Sequence, residues 1–342
     1  MIGRKKIYFI AFSLSAMATI PWGIIQPRAL DDIRNLVFDA YQRQSPRVYD
    51  PQTPIRVVGI DEESLGLYGQ WPWPRKRLAE ITRNLKKLGA SAIVFDLIFS
   101  EADRAGAKSY IASLSDSKTR ARFEELISST PDGDKEFIET VKMSPVVLGE
   151  VASESGTRTE APKAGFVILG DTPTSFLISY KALIAPFEEL YRATGALGTS
   201  NWLPDHDQVV RRIPLIFRVG DEYTPALALE ALRIAQGAST YILSSSNTHL
   251  ETSFGKQTGI NLIKVGNFEI PTGPAADVRP RYSYAQSTRD LSAKSILEGT
   301  VPKSEIEGRI IFIGARAIGL GDVRATPLEA AVAGVDIHCL LY

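Results

Sequence analysis

The amino-acid sequence predicts an α/β fold: a partly parallel mixed sheet flanked by helices, preceded by one N-terminal transmembrane helix. Two of the predicting observations are β-branched runs, Ile55 to Ile60 (IRVVGI) and Ala92 to Phe95 (AIVF), with a helical pattern between them. Strand, helix and strand at that spacing make a βαβ unit, whose two strands lie parallel and whose crossover is right-handed. The third is a charge-free stretch from Ile7 to Ile25 (IYFIAFSLSAMATIPWGII), close to the ~20 residues that a helix needs to cross the hydrocarbon.

The elements follow in chain order. Arg4, Lys5 and Lys6 precede the apolar stretch, whereas Arg28, Asp31 and Asp32 follow it. This basic excess places residues 1–6 in the cytoplasm, residues 7–26 in the membrane and residues 29–342 outside the cytoplasm. Ala16-Met17-Ala18 has the form of a signal-peptidase site, but the apolar run continues through Trp22 and Ile25, which favours a retained anchor. Residues 29–45 read as an amphipathic connecting helix. Leu30, Ile33, Val37 and Tyr41 recur at helical spacing, and Asp31, Asp32, Arg34, Asn35 and Asp39 fill the other face. Such a helix either transmits force between membrane and domain or packs on the sheet.

After the first strand, Pro74 opens a helix with the apolar stripe Leu78, Ile81, Leu85 and Leu88, and Gly89 stops it. Val146 to Leu148 and Arg309 to Ile313 read as further core strands. The mainly polar stretch from Ser100 to Thr140 reads as a surface insertion, with Asp132-Gly133-Asp134 turning into a second short helix. Ser153 to Lys163 has loop composition, and Gly237 to Lys264 reads as meandering antiparallel strands. No internal repeat and no second domain boundary is visible.

Composition narrows the function. Hydrophobic residues make up 44% and charged residues 23% of the 342, which is globular composition with a substantial core. The 39 basic and 39 acidic side chains cancel, so the chain lacks the basic footprint of a nucleic-acid binder. Cys339 is the single cysteine, and His206, His249 and His338 are scattered without metal-ligand spacing. No Gly-x-Ser-x-Gly elbow, His-Glu-x-x-His helix or Walker sequence is present. The glycine-rich stretch Gly314 to Asp322 follows a strand but lacks the Lys-Ser or Lys-Thr pair of a phosphate loop. Binding is favoured over catalysis, and no cofactor is implied.

Candidate site residues gather at predicted strand ends: Asp61 and Glu62 after the first strand, and Asp96, Glu101 and Asp103 after the second. Ligands of open parallel sheets bind outside the carboxyl ends of the strands, so these acids are expected to border one crevice fit for a cation or an amine. The alternative use of such acids is capping helices or pairing with arginines. In Trp71-Pro72-Trp73-Pro74-Arg75 two prolines stiffen a loop with two aromatics, which line a pocket or seal the sheet edge. Arg75 is expected to meet Asp61 or a ligand carboxylate. Asp205-His206-Asp207-Gln208 before Arg211 reads as an acidic turn, and its D-x-D spacing alone is a weak metal signal.

Taken in order, IRVVGIDEESL, WPWPR, LGASAIVFDLIFSEAD, DHDQVVRRIPL, GRIIFIGA, GLGDVRATP and GVDIH resemble the CHASE domain, type two. That module is the extracytoplasmic sensory domain of bacterial membrane-bound adenylate/guanylate cyclases, histidine kinases and serine/threonine kinases. The resemblance runs from about Leu30 to His338, and it points to Asp61, Trp73, Arg75, Asp96, Asp103, Arg211, Asp322, Thr326 and His338. Gln208 stands where the family tends to have Gly after the Asp-x-Asp turn, and Cys339 where it tends to have Ala. A glycine there signals positive φ, so Gln208 puts the turn's geometry in question.

The resemblance implies a non-enzymatic sensor in the cell membrane, homodimeric, answering a small-molecule or ionic stimulus. A C-terminal cyclase or kinase would follow. The apolar ending Leu340-Leu341-Tyr342 reads as a chain cut at the start of a next membrane helix. Two alternatives are a hydrolase holding a divalent cation on Asp61, Asp96 and Asp103, and a structural envelope protein.

Overall fold

The computed structural model describes residues 28–127, 132–155, 163–248, 259–284, 289–320 and 323–342. The expected membrane helix, His249 and Asp322 lie outside the described residues. Among those described, no helix is long and apolar enough to cross a membrane.

A seven-stranded sheet forms the centre. Its strands are β1 (Ile55–Ile60), β2 (Ala92–Ile98), β3 (Val146–Ser153), β5 (Ala182–Ile184), β6 (Leu197–Thr199), β10 (Asp290–Ser292) and β11 (Ile310–Ala315). The order is β10-β1-β11-β2-β3-β5, with β6 also on β3, and every pairing is parallel except the outermost, β3 with β5. The expected βαβ unit is present, but β11 is inserted between its two strands. No local pattern encodes that insertion, because it is made by a segment more than two hundred residues away.

The unbroken apolar runs are explained by burial on both faces. Along β1, Ile55 and Val57 point to one side and Val58 and Ile60 to the other. The first side is covered by α5 (Leu227–Ala235) and α7 (Gly334–His338). The second is covered by α3 (Arg75–Lys87), α4 (Gly133–Lys142) and α6 (Ala293–Leu297). Close docking of α5 needs a bare backbone at Gly198, where a Cβ would lie 2.5 Å from the Leu227 Cα.

The α3 helix ends as its sequence predicts. Gly89 takes φ +88°, its N–H reaches the Lys86 carbonyl at 3.0 Å, and the Ala90 N–H reaches that of Leu85 at 3.1 Å. This is a Schellman ending. The 100–140 segment corrects the surface-insertion expectation in part. Phe137 and Val141 on α4 are buried, and Phe137 packs edge-on to Phe95 and Phe99 at 5.6 and 5.5 Å. Polar residues dominate that segment by number, yet one apolar edge suffices to close the sheet.

A second sheet of four strands lies beyond α5: β4 (Gly165–Leu169), β7 (Thr240–Ser245), β8 (Ile260–Val265) and β9 (Phe268–Pro271). The β7 and β8 strands are the antiparallel pair expected from Gly237 to Lys264, β9 continues the meander beyond that stretch, and β4 adds in parallel to β7. The α5 helix is sandwiched, giving Leu227, Ala228 and Ala231 to the central sheet and Leu229 and Leu232 to the second. Between the layers lies a buried ionic knot. Arg233 donates to both oxygens of Glu230, and the Tyr241 hydroxyl donates to Glu230 at 2.6 Å. Burial and the adjacent carboxylate push the Tyr241 hydroxyl well above its usual range. At the chain's end, Leu340 joins the second core and the Tyr342 hydroxyl donates to the Ala228 carbonyl at 2.6 Å.

The connecting helix, α1 (Arg28–Gln44), stands where its periodicity places it, but of its two readings the packing of the apolar stripe on the sheet fails. Its buried positions are the polar Asn35, Asp39 and Gln42, whereas Ile33, Leu36, Val37 and Tyr41 are 59, 70, 44 and 67% exposed. The apolar stripe therefore does not pack on the sheet. Ion pairs, hydrogen bonds and Phe38, which packs against the second core beneath Arg279, hold the other face.

Candidate functional site

Parallel strands that end together leave a crevice at their carboxyl ends, and here β2, β3 and β11 open into a cleft of about 780 Å³. Asp96, Leu97 and Ile98 come from β2, Val151 from β3 and Ala315 from β11. Trp71, Trp202, Pro204 and Gln208 form much of the wall, with Ser200, Asn201 and the segment Val323 to Ala325 completing it. The Asn201 amide is already committed, accepting from the Ala152 N–H at 2.7 Å and donating to its carbonyl at 2.8 Å.

Asp96 brings a carboxylate to this cleft. Behind it stands His338 of α7, 2% exposed, with its Nε2 3.5 Å from an Asp96 oxygen. The imidazole is held between the Trp202 ring, centroids 4.1 Å apart, and the Phe312 ring, nearly parallel to it at 6.2 Å. His338 Nε2 is buried and makes no hydrogen bond with the described residues. A buried nitrogen without a partner is costly, and this one is oriented by aromatic packing toward the carboxylate.

The turn Asp205–Gln208 forms the other important wall. Gln208 adopts φ +65°, and its N–H closes the turn on the Asp205 carbonyl at 2.9 Å. The left-handed geometry that a glycine would mark is thus kept with a glutamine. Pro204 and Gln208 line the cleft, while Asp205 and Asp207 engage Arg211.

Arg211 is 3% exposed and is gripped by three carboxylates. Its Nε and Nη2 donate to the two Asp39 oxygens of α1 at 2.8 and 2.9 Å. Its Nη1 donates to Asp205 at 2.8 Å, and Nη1 and Nη2 donate to Asp207 at 2.9 and 2.7 Å. Hydrogen bonding to the guanidinium holds the Asp207 carboxyl down at about 2, and Asp39 chiefly raises Arg211 further above its ordinary value. Asn35 donates to Asp205 at 3.0 Å, and the Gln42 carbonyl oxygen accepts from the Tyr282 N–H at 2.9 Å. Arg43 reaches the Pro327 carbonyl at 3.0 Å, and Arg47, just past the helix, donates to the Tyr342 carbonyl. Hence the turn that walls the cleft also clamps the connecting helix.

The remaining strand-end acids do not border this cleft, which corrects the single-crevice expectation. Asp61 caps α2 (Glu62–Tyr68), accepting from the Ser64 N–H at 2.9 Å and the Ser292 hydroxyl at 3.0 Å. Glu62 accepts from the Ile318 N–H at 2.8 Å. Asp103 accepts from the Arg75 N–H at the start of α3 at 2.9 Å, and Glu101 pairs with Arg104. Free N–H groups at helix starts lie within reach of Asp61 and Asp103 and take them. Arg75 does not meet Asp61. Its side chain donates to the Glu101 carbonyl at 3.0 Å, lies 3.7 Å from Asp134 and covers the Phe99 ring at 4.6 Å. Burial lowers Arg75 against the pull of Asp103 and Asp134, and raises the Asp134 carboxyl.

Trp73 is a core residue, 1% exposed, with its indole N–H on the Gly69 carbonyl at 2.8 Å. Trp71 alone of the pair reaches the cleft. Thr326 closes a local turn with Glu329. Asp61, Asp96 and Asp103 hold separate partners, and among the described residues no group of three His, Cys, Asp or Glu is placed to bind a metal ion. The three acids named for the hydrolase alternative therefore do not converge on one site.

Trp202, Asn201, Asn35 and Asp39 had not been singled out as site residues. Asp39 carried one signal, a charge on a helix facing an arginine-containing turn, but the pairing spans 172 residues.

An α/β domain with a strand-end cleft, clamped to an N-terminal helix, is the class that this geometry defines. The chain belongs to the CHASE2 domain family, whose model matches residues 13–341. It is a family of extracytoplasmic sensory domains, sensory and not catalytic. Neither the comparison with curated proteins nor that with solved structures finds a significant match.

Proposed function

We propose that this chain is the sensory module of a membrane signalling protein and that the cleft at the ends of β2, β3 and β11 takes its stimulus, a small organic cation or amine. One observation carries the reading: the segment Pro204–Gln208 contributes its two end residues, Pro204 and Gln208, to the wall of the cleft and Asp205 and Asp207 to the clamp on α1. A ligand that prefers one placement of that turn changes the docking of α1, the helix that continues the apolar segment Ile7 to Ile25. The carboxylate of Asp96 and the indoles of Trp71 and Trp202 suit the cationic end of a ligand, because carboxylate charge and aromatic quadrupoles both attract positive charge, while Arg324 on the same wall opposes a bare cation and suits one that also carries an anionic or acceptor group. Anchoring by that apolar segment, and coupling to a cyclase or kinase output, belong to the same proposal.

The test is a thermal-unfolding screen of the membrane-embedded chain with choline, spermidine and arginine against neutral sugars and dicarboxylates. Saturable stabilisation by a cationic member, lost in Asp96→Asn, is expected. Stabilisation by none of the cations, or equal stabilisation of Asp96→Asn, rejects the cleft as a cation site.

A further inference from the structure

The β2 strand changes its pairing at Asp96. Its register with β11 ends at Phe95 opposite Ile313, and its register with β3 shifts between Phe95 and Ile98. Gly149 of β3 makes room for the irregularity, since a Cβ there would lie 3.0 and 3.2 Å from the Phe95 and Leu97 carbonyl oxygens. Breaks of this kind re-aim a side chain, and Asp96 stands with the cleft on one side and His338 on the other. The 3.5 Å from its Oδ1 to the orphaned Nε2 is roughly 0.7 Å longer than a charge-assisted hydrogen bond. When Nε2 carries only its lone pair, two acceptors face each other. When it carries a proton, a short movement of the carboxylate closes the bond. That added charge would also lie against the Trp202 face, where an indole attracts a cation.

The other charges around the ring have partners of their own. On α7, Asp336 accepts from Arg289 and Arg316, and Arg316 also reaches Asp290 of β10. Glu230 and Arg233 of α5 bind each other, and Asp205, beyond Trp202, is held by Arg211 and Asn35. Arg324 lines the far wall of the cleft. Burial pushes the Cys339 thiol up to about 12, so it stays neutral. Asp96 is the carboxylate set against the imidazole.

We propose that His338 and Asp96 form a proton-operated pair: a proton taken from solvent onto Nε2 draws the carboxylate away from the cleft and lowers the cleft's hold on a cation. The effect on binding rests on the reading of the cleft as a cation site, whereas the pair rests on its own geometry. Imidazole is the side chain suited to such an exchange near neutrality. By linkage, a bound cation in turn expels the proton.

The first test needs no ligand. Urea unfolding of the membrane-embedded wild type, Asp96→Asn, His338→Gln and the double variant gives the coupling between the two side chains at about pH 8 and about pH 5.5. As a ratio of unfolding constants, that coupling is expected to be about fivefold greater at the lower pH. Should His338→Gln fail to fold, Trp202 emission, taken as the difference between wild type and Trp202→Phe, replaces it. This emission is expected to fall reversibly over the same range, because a protonated imidazole quenches an indole that it touches. The second test titrates choline and arginine, which stay cationic throughout. Binding about tenfold weaker at the lower pH is expected for wild type, and equal binding at both for His338→Gln. Coupling or emission that does not change with pH overturns the proposal, as does a cation that binds wild type equally at both. A pH-dependent coupling with no cation bound at either pH refutes the cleft reading and leaves the proton-operated pair standing.

Discussion

Removing the guanidinium of Arg211 measures how much of the connecting helix is held by charge. In Arg211→Ala, Asp39 loses two hydrogen bonds while remaining 8% exposed, and Asp205 and Asp207 lose three more. Taking one partner from a buried ion pair costs about 3–5 kcal/mol. The Asp205 and Asp207 side chains are 24 and 41% exposed and recover water, so the lower end, about 3 kcal/mol, is the working value. At an unfolding entropy of about 2.1 cal/mol/K per residue, a domain of about 300 residues loses roughly 1.5 °C per kcal/mol, which gives a fall in Tm of about 5 °C. The assay is tryptophan-fluorescence melting of the chain in nanodiscs, with hydrogen exchange over Arg28–Gln44. Exchange in α1 should accelerate before global unfolding, because these contacts are local to the helix. Arg211→Met combined with Asp39→Leu should recover much of the loss, since a buried pair is replaceable by apolar side chains. A Tm shift under about 2 °C for Arg211→Ala would refute the reasoning, because it would mean that the charges are solvated as well without their partner.

Other outcomes follow from the same contacts. Trp73→Ala should cost about 3–5 kcal/mol in chemical unfolding, as expected for a fully buried aromatic; a cost below ~1 kcal/mol would mean that the site is not packed core. Glu230→Gln should cost roughly 3 kcal/mol by leaving Arg233 buried without its counter-charge, read from the same denaturation curves. Gln208→Gly should stabilise by up to about 1 kcal/mol by relieving a left-handed backbone, and a loss of stability would contradict the turn's geometry. Asp290 is raised to about 6, mainly by desolvation and against the pull of Arg316. Its folded form binds the proton more tightly than the unfolded chain, so its contribution is full below about pH 4 and is lost as pH rises through 6. Asp290→Asn should flatten the stability profile over that window. Asp207, held at about 2, has the opposite sign, and its contribution disappears as pH falls from about 4 toward 2.

The parts of the fold that were legible in the sequence are those written in local periodicity. Ile55–Ile60, the stripe from Leu78 to Leu85 and the Gly89 stop all appear where their patterns place them. The insertion of β11 between β1 and β2 has no local signature, nor does the addition of β4 to the second sheet. The site divides along the same line. Strand ends were identifiable as strand ends, but acids there choose between open cleft and nearby helix N–H groups by distances of a few ångströms, which took Asp61 and Asp103 and left Asp96. The connecting helix is where its periodicity places it, but its apolar stripe is not the face that docks. An apolar stripe is ordinarily the buried face, but here Arg211 supplies a stronger anchor to the polar one.

The cleft wall and the clamp on α1 share the segment Pro204–Gln208, and the proposed linkage between cleft occupancy and helix docking is measurable without knowing the stimulus. Val323→Cys puts a thiol on the cleft wall at a 52% exposed position, against the buried Cys339, and a trimethylammonium thiosulfonate then places a tethered cation there. Amide exchange over Arg28–Gln44 is compared before and after labelling. The linkage predicts a change of more than about threefold in α1, absent when Asp207→Asn loosens the clamp. Unchanged exchange in α1 with the cleft fully labelled would contradict it.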